Sequence, residues 1–316
     1  MILIISDRDD GSTSDVIKWI KYFKKDFIRV NENSIVSIEK MIIDDSHEVV
    51  LKVDGSLVFL SKITSVWYRR GRIFFSEELS LETKNNKELL FSAFNEMNVV
   101  RDFIYSLTKF KKSINNAHNG SINKLYALFM AIESGLTIPS SLITSNKKEL
   151  SEFQLANNEI ITKPIHESPI INSLPTFNIY TENVTPEDIE KLPENYFMSL
   201  FQKKINKKYE LRIFYLHGEF YSMAIFSQSD DQTSVDFRKY KGNKPNRKTP
   251  YRLPKEIEEK IKLFMSKVDL NCGSIDMVVT NEKDYVFLEV NPVGQFNMVS
   301  YPCNYNIEKD IACYLQ

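Results

Sequence analysis

Residues 273–296, GSIDMVVTNEKDYVFLEVNPVGQF, constrain this chain more than any other stretch. Two alternating runs rich in β-formers, 274–280 and 285–291, flank Asn281-Glu282-Lys283-Asp284, which reads as a hairpin. A four-residue loop sets Thr280 against Tyr285 and so Asp276 against Glu289, with Asn291 two residues further along the same face. Ile275, Met277, Val279, Val286, Leu288 and Val290 then point the other way, into a core. Two carboxylates directly opposite on a sheet repel, so the pair asks for a cation between its members. Three oxygen ligands without His or Cys suit a hard cation, and Mg2+ bridging nucleotide phosphates fits best. An ordinary hairpin with a hydrated acidic face fits the same letters.

At 316 residues the chain can bury a large core and hold two or three subdomains. A formal charge of −1 offers no global field for nucleic acid, so no such partner is expected. No apolar run approaches the roughly 18 residues of a membrane span. The first six residues, MILIIS, are too short for a signal segment and run straight into charge. The expectation is therefore no membrane partner and a cytoplasmic location. Cys272, Cys303 and Cys313 are odd in number and widely spaced, which excludes a full disulfide framework and fits a reducing cytosol. Cys272 reads as a buried, inert thiol. The four histidines show no metal-ligand spacing. The oligomeric state stays open, a homodimer included.

Strand and helix alternate over residues 1–112. A strand is expected at 2–6, a helix capped by Ser14 or Asp15, and a hairpin across Asp54-Gly55. Another strand follows at 65–70 and a long helix at 85–110, together an α/β unit with a partly parallel sheet. The basic, polar stretch 109–120 marks a boundary. From 113 to 190 a second small unit follows: a helix from about Asn123 to Gly135, a strand at 140–144, a helix capped by Ser145, and a strand at 159–163. From 191 to 316 the pattern becomes antiparallel, with a hairpin about His217-Gly218, a basic loop, a helix at 254–267 and the acidic hairpin. Nine glycines are few for this length, and neither a P-loop nor GxGxxG is present.

Lys124 opens a helix, where free N–H groups already favour anions. Lys163 ends a strand before Pro164. Each alone reads as a surface charge; together, ahead of an oxygen-ligand hairpin, they resemble a triphosphate clamp. The strand through Gln202, Lys203 and Ile205 ends where its backbone groups can meet an adenine edge, and Glu210 beyond it can accept from ribose hydroxyls. Arg212 shares the face of Glu210, and the bland alternative is a surface Glu–Arg pair. Asp236 and Arg238 repeat that period-two geometry, and Arg238 offers a planar fork for a carboxylate or phosphate. From Arg238 to Arg252 there are seven basic residues and no acidic one. That run fits a solvated loop or a surface for an acidic substrate.

Asn-Lys, Lys-Pro, Gln followed by Glu-x-Arg, Asp-Phe-Arg, Ile-Asp and Leu-Glu-x-Asn-Pro, in that order over residues 115–300, resemble the ATP-grasp ligases. Trp67-Tyr68-Arg69-Arg70, Asp236-Phe237-Arg238 and the Asn-Arg…Pro-Tyr-Arg-Leu-Pro run at 246–254 resemble the graspetide (microviridin-type) synthetases within that superfamily. The resemblance implies an α/β and α+β ATP-grasp fold: a pre-ATP-grasp domain at 1–112, a central subdomain at 113–190 and a C-terminal subdomain at 191–316. It implies ATP and Mg2+ as cofactors and a ribosomal precursor peptide as partner. Lys124 and Lys163 would bind phosphates, Gln202, Lys203 and Ile205 the adenine, and Glu210 the ribose. Asp276, Glu289 and Asn291 would hold Mg2+, and Arg212 and Arg238 would handle the transferred phosphoryl group or the substrate carboxylate; Asp236 is by position alone a candidate general base or the salt-bridge partner of Arg238. The implied product is an ω-ester between Glu or Asp and Ser or Thr. A ligase adding amino acids to a peptide terminus would share every ATP-site residue, and a nucleotide-binding protein without catalysis is a further alternative. One departure stands out: 164–172 has no glycine where many ATP-grasp enzymes carry a glycine-rich phosphate loop.

Overall fold

A computed structural model describes residues 1–45, 47–166, 170–171, 177–178, 181–226 and 246–316. Ser168, Asp236, Arg238, Lys239, Lys241 and Lys244 lie outside the described residues.

The N-terminal layer runs β1 (Ile2–Ile5), α1 (Gly11–Tyr22), β2 (Phe27–Val30), β3 (Val36–Ile42), β4 (Glu48–Val53), β5 (Ser56–Phe59), β6 (Ser65–Tyr68), α2 (Leu81–Asn85), α3 (Lys87–Thr108) and β7 (Lys112–Ile114). β1 is apolar and buried at every position, as an inner parallel strand must be. It pairs in parallel with β2 and β6, and β6 with β7, in the order β2-β1-β6-β7. β3, β4 and β5 form a separate antiparallel sheet whose turn at Asp54-Gly55 has positive φ at both residues. Asp10, not Ser14 or Asp15, caps α1 and accepts from Thr13 N at 2.9 Å. The earlier start puts Thr13 on the buried stripe with Val16 and Ile20. The basic stretch 109–120 is more than a connection, because it contains β7 and the buried Asn115.

Next come α4 (Lys124–Glu133), β8 (Ser141–Asn146), α5 (Lys147–Asn157), β9 (Ile160–Lys163), β10 (Ile170–Ile171), β11 (Phe177–Asn178), β12 (Glu182–Val184), α6 (Pro186–Glu190) and β13 (Asn195–Lys203). An antiparallel sheet in the order β12-β9-β13-β8 packs on α5 and α6 through Leu150, Ile160, Ile189 and Phe201. Asn146 rather than Ser145 caps α5, accepting from Glu149 N. Both residue types cap well, and the one three positions before Glu149 is used.

The last part is β14 (Lys207–Leu216), β15 (Glu219–Phe226), β16 (Arg247–Tyr251), α7 (Lys255–Lys267), β17 (Cys272–Thr280), β18 (Tyr285–Asn291), α8 (Asn297–Cys303) and α9 (Ile307–Tyr314). Its sheet, β16-β15-β14-β17-β18, is antiparallel throughout. One face buries Ile213, Ile275 and Phe287 against Leu128 of α4 and Ile261 and Phe264 of α7. The other face is divided. Phe214, Leu216, Met223 and Cys272 pack against α8, α9 and the N-terminal layer, while Glu210, Arg212, Asp276 and Glu289 share that face nearer the opposite strand ends. The basic run therefore is not all loop: Arg247–Tyr251 is an edge strand, and Arg247 lies 5.5 Å from the Phe226 ring centre. It escapes sequence patterning because it carries Pro250, which a ladder admits at an edge.

Candidate active site

The acidic hairpin reaches its expected pairing by an unexpected route. Val279, not Thr280, pairs with Tyr285, Met277 pairs with Phe287, and a bulge at Leu288 then sets Asp276 opposite Glu289. The loop closes with Thr280 N donating to Asp284 O at 3.0 Å, and Lys283 takes a φ of 74°. Without the bulge, Asp276 would face Leu288 and Glu289 would turn away from the cleft. The slip also corrects the expected inward set: Phe287 packs with Ile275, whereas Val286 is buried outside that cluster and Leu288 is half-buried.

Arg212, Asp276 and Glu289 stand in one row across β14, β17 and β18, with Ser274 and Asn291 the next pair on the same face. Arg212 Nη1 donates to Asp276 Oδ2 rather than to Glu210, its neighbour on the strand. Glu289 Oε2 accepts from Lys124 Nζ at 3.2 Å. Lys124 is the first residue of α4; Asn123 caps that helix, its Oδ1 accepting from Leu125 N at 2.9 Å and Tyr126 N at 3.1 Å. α4 packs beside β18, and this carries the ammonium to the carboxylate. Burial would push the Glu289 carboxyl up, but the charges of Lys124, Lys163 and Arg212 and the Lys124 hydrogen bond hold it below its ordinary value. Lys163, at the end of β9, thus places a charge of the central sheet within electrostatic reach of Glu289.

The chain crosses between the sheets at 204–206. Lys203 N donates to Ser140 O at 2.8 Å, and the buried Gln202 side chain donates to Ser141 Oγ at 2.8 Å. Gln202 therefore ties β13 to β8 with its side chain, and Ile205 is half-buried just beyond the strand. Glu210 accepts from Lys207 Nζ at 2.5 Å, and both side chains are nearly buried. Lys207 was not singled out from sequence; its place three residues before Glu210, at the start of a strand, was the available signal. Cys272 is buried with its thiol pushed up to about 12 by that burial, so it is no nucleophile.

Among the described residues no group of three His, Cys, Asp or Glu side chains forms a metal cage. The fit to a divalent cation rests on the oxygen set alone: two facing carboxylates and an amide, with cationic side chains where the negative charge gathers. Such an incomplete set suits Mg2+, which keeps waters and takes phosphate oxygens for the rest of its shell. Asn291 Oδ1 accepts from Val293 N at 3.1 Å, which fixes its orientation.

No family model matches the sequence, and no curated protein does. Solved structures match over the whole chain. The macrocyclase MdnC of Microcystis aeruginosa, bound with precursor peptide MdnA, has a TM-score of 0.78 at 26% identity and covers 100% of this chain and 99% of its own. A RiPP-associated ATP-grasp ligase of Chryseobacterium gregarium, in complex with ADP and a leader and core peptide, has a TM-score of 0.79 at 23% identity over 99% and 94% of the two chains. The ATP-grasp ligase PsnB, complexed with minimal precursor, Mg and ADP, has a TM-score of 0.74 at 16% identity over 99% and 96%. The fold is that of the ATP-grasp ligases.

Proposed function

We propose that this chain is an ATP-grasp ligase that uses ATP and Mg2+ to join carboxylate side chains of a ribosomal precursor peptide to Ser or Thr hydroxyls of the same peptide. The observation that carries the reading is the row Arg212–Asp276–Glu289 with Lys124 and Lys163 converging on it. A carboxylate is a poor acyl donor because oxide leaves badly, whereas an acylphosphate loses phosphate readily. Making it demands positioning and charge neutralisation more than covalent help from the protein. Lys124 and Lys163 bind the phosphates, 202–205 borders the adenine and Glu210 the ribose. Asp276, Glu289 and Asn291 hold Mg2+, which when bound offsets the charge of the phosphates. Arg212 and Arg238 bind and neutralise the phosphoryl group as it passes to the substrate carboxylate, or bind that carboxylate itself. Peptide recognition is drawn from the MdnC and Chryseobacterium complexes, both of which hold a peptide. The three thiols suit a reducing cytosol, and among the described residues no helix is long and apolar enough to cross a membrane.

The test is to express the short reading frames beside the gene as peptides and add each to the protein with ATP and Mg2+. The expected result is ADP formation that depends on one peptide, with loss of one water from its mass per ADP. ATP turnover indifferent to every peptide, with no mass change, would overturn the reading.

A further inference from the structure

Trp67-Tyr68-Arg69-Arg70 has no part in the site as described, yet Arg69 lies against it. Only 3% of its side chain is exposed. Its Nη1 donates to Val293 O and, at 3.2 Å, to Gly294 O, both in the turn that follows Asn291. Its Nε lies 3.2 Å from Asp10 Oδ2, the carboxylate that also caps α1. The same turn is held from a second side: Asn115 Nδ2 donates to Pro292 O at 2.9 Å. Three consecutive carbonyls after Asn291 are thus bound by side chains from outside the hairpin. The turn is also packed too closely for a side chain, since a Cβ at Gly294 would stand 2.2 Å from Ser274 Oγ.

We propose that Arg69 is a positioning residue for the Mg2+ site, acting through the 292–294 turn on Asn291 Oδ1. Val293 links the two: its carbonyl accepts from Arg69 while its N–H donates to Asn291 Oδ1 at 3.1 Å. The amide oxygen that would meet the cation is therefore aimed by the N–H of Val293, whose own carbonyl, in the next peptide unit, a buried guanidinium holds, while Asn115 holds the carbonyl of the unit that donates. Outer partners of this kind orient ligands and tune metal affinity. The fork matters as much as the charge, because Arg69 meets Asp10 and two carbonyls at once, which a single ammonium on a flexible stem does not reproduce. The inference rests on the assignment of Asn291 as a metal ligand.

Calorimetric titration of MgCl2 into the protein saturated with ADP tests it, with ADP affinity in EDTA and the melting temperature measured alongside. Two variants are used: Arg69→Lys, and Arg69→Met, in which Asp10 still caps α1 and keeps Arg70 Nε at 3.0 Å as its ionic partner. In each, the Kd for Mg2+ should rise by about tenfold or more, while metal-free ADP affinity stays within about twofold. A lowered melting temperature with wild-type Mg2+ affinity would assign Arg69 a purely structural role and overturn the proposal. Wild-type protein that binds ADP but takes up no Mg2+ would instead overturn the metal reading on which it rests.

Discussion

Arg212 stands directly opposite Asp276 on the neighbouring strand and donates to it, so the carboxylate that faces Glu289 is already neutralised from its other side. Lys124 does the same for Glu289. The order of charge across the row is plus, minus, minus, plus, and the repulsive central pair is tolerated because each member has its own cation. A divalent cation held between the carboxylates would compete with Arg212 and Lys124 and would leave them able to turn to phosphate.

Glu289→Gln tests the metal role of that pair. The amide keeps the shape and an oxygen for Lys124 but removes one of two charges from an oxygen-only site. The expected outcome is a folded protein whose peptide-dependent ADP release falls by orders of magnitude. Normal turnover would remove the hairpin from the mechanism.

Glu289 also sets a pH dependence of stability. Burial would raise its carboxyl, but Lys124, Lys163 and Arg212 hold it below the ordinary glutamate range. A carboxylate depressed on folding contributes stability that is present above its unfolded pKa and is lost as pH falls through the folded one. Thermal melts of the metal-free protein should therefore lose stability below about pH 4.5, and Glu289→Gln should flatten the slope there. About a third of the side chain is exposed, so solvent screening keeps the effect modest. Equal slopes in the two proteins would show that the three cations do not favour the ionised form.

Much of the site was legible because facing residues on a hairpin follow from period two and one turn. Asp276 opposite Glu289 came out correctly even though the assumed loop length was wrong. The bulge at Leu288 restored the pairing, and nothing in Val286-Phe287-Leu288 announces a bulge, since all three suit either face. The helix carrying Lys124 was legible through Asn123 and Gly135, whose capping chemistry is local. The partners of the charges were not. On spacing alone Glu210, on the same face of the strand, is as good a partner for Arg212, and only the pairing of β14 with β17 selects Asp276. Arg69 and Asn115 reach across 224 and 177 positions of sequence to the 292–294 turn, and no local pattern encodes contacts of that range.

The basic run is a second place where sequence and structure divide. Lys239, Lys241 and Lys244 lie outside the described residues, whereas Arg247 and Lys248 belong to an edge strand. If the run attracts Glu- and Asp-rich peptides, reversing Lys239, Lys241 and Lys244 to Glu should raise the peptide KM several-fold and leave the KM for ATP unchanged. Added salt should weaken wild-type binding in the same direction. An unchanged peptide KM would make the run a solvated surface.

Arg238 and Lys163 separate activation from transfer. If Arg238 steadies the acylphosphate or the acceptor carboxylate, it acts after ATP has bound. Arg238→Ala should then bind ATP nearly as the wild type does and yet make no product. Lys163→Ala should lose affinity for the nucleotide itself, because that ammonium belongs to the cluster gathered around Glu289. Peptide mass gives the chemistry of the bond. Each bond formed by the wild type should remove one water and consume one ATP, and mild base should restore that water from an ester but not from an amide. A product heavier by an amino acid would sink the macrocyclisation reading and promote a terminal ligase with the same ATP site. Arg238→Ala forming product at the wild-type rate would leave the ligase intact and withdraw this residue's role.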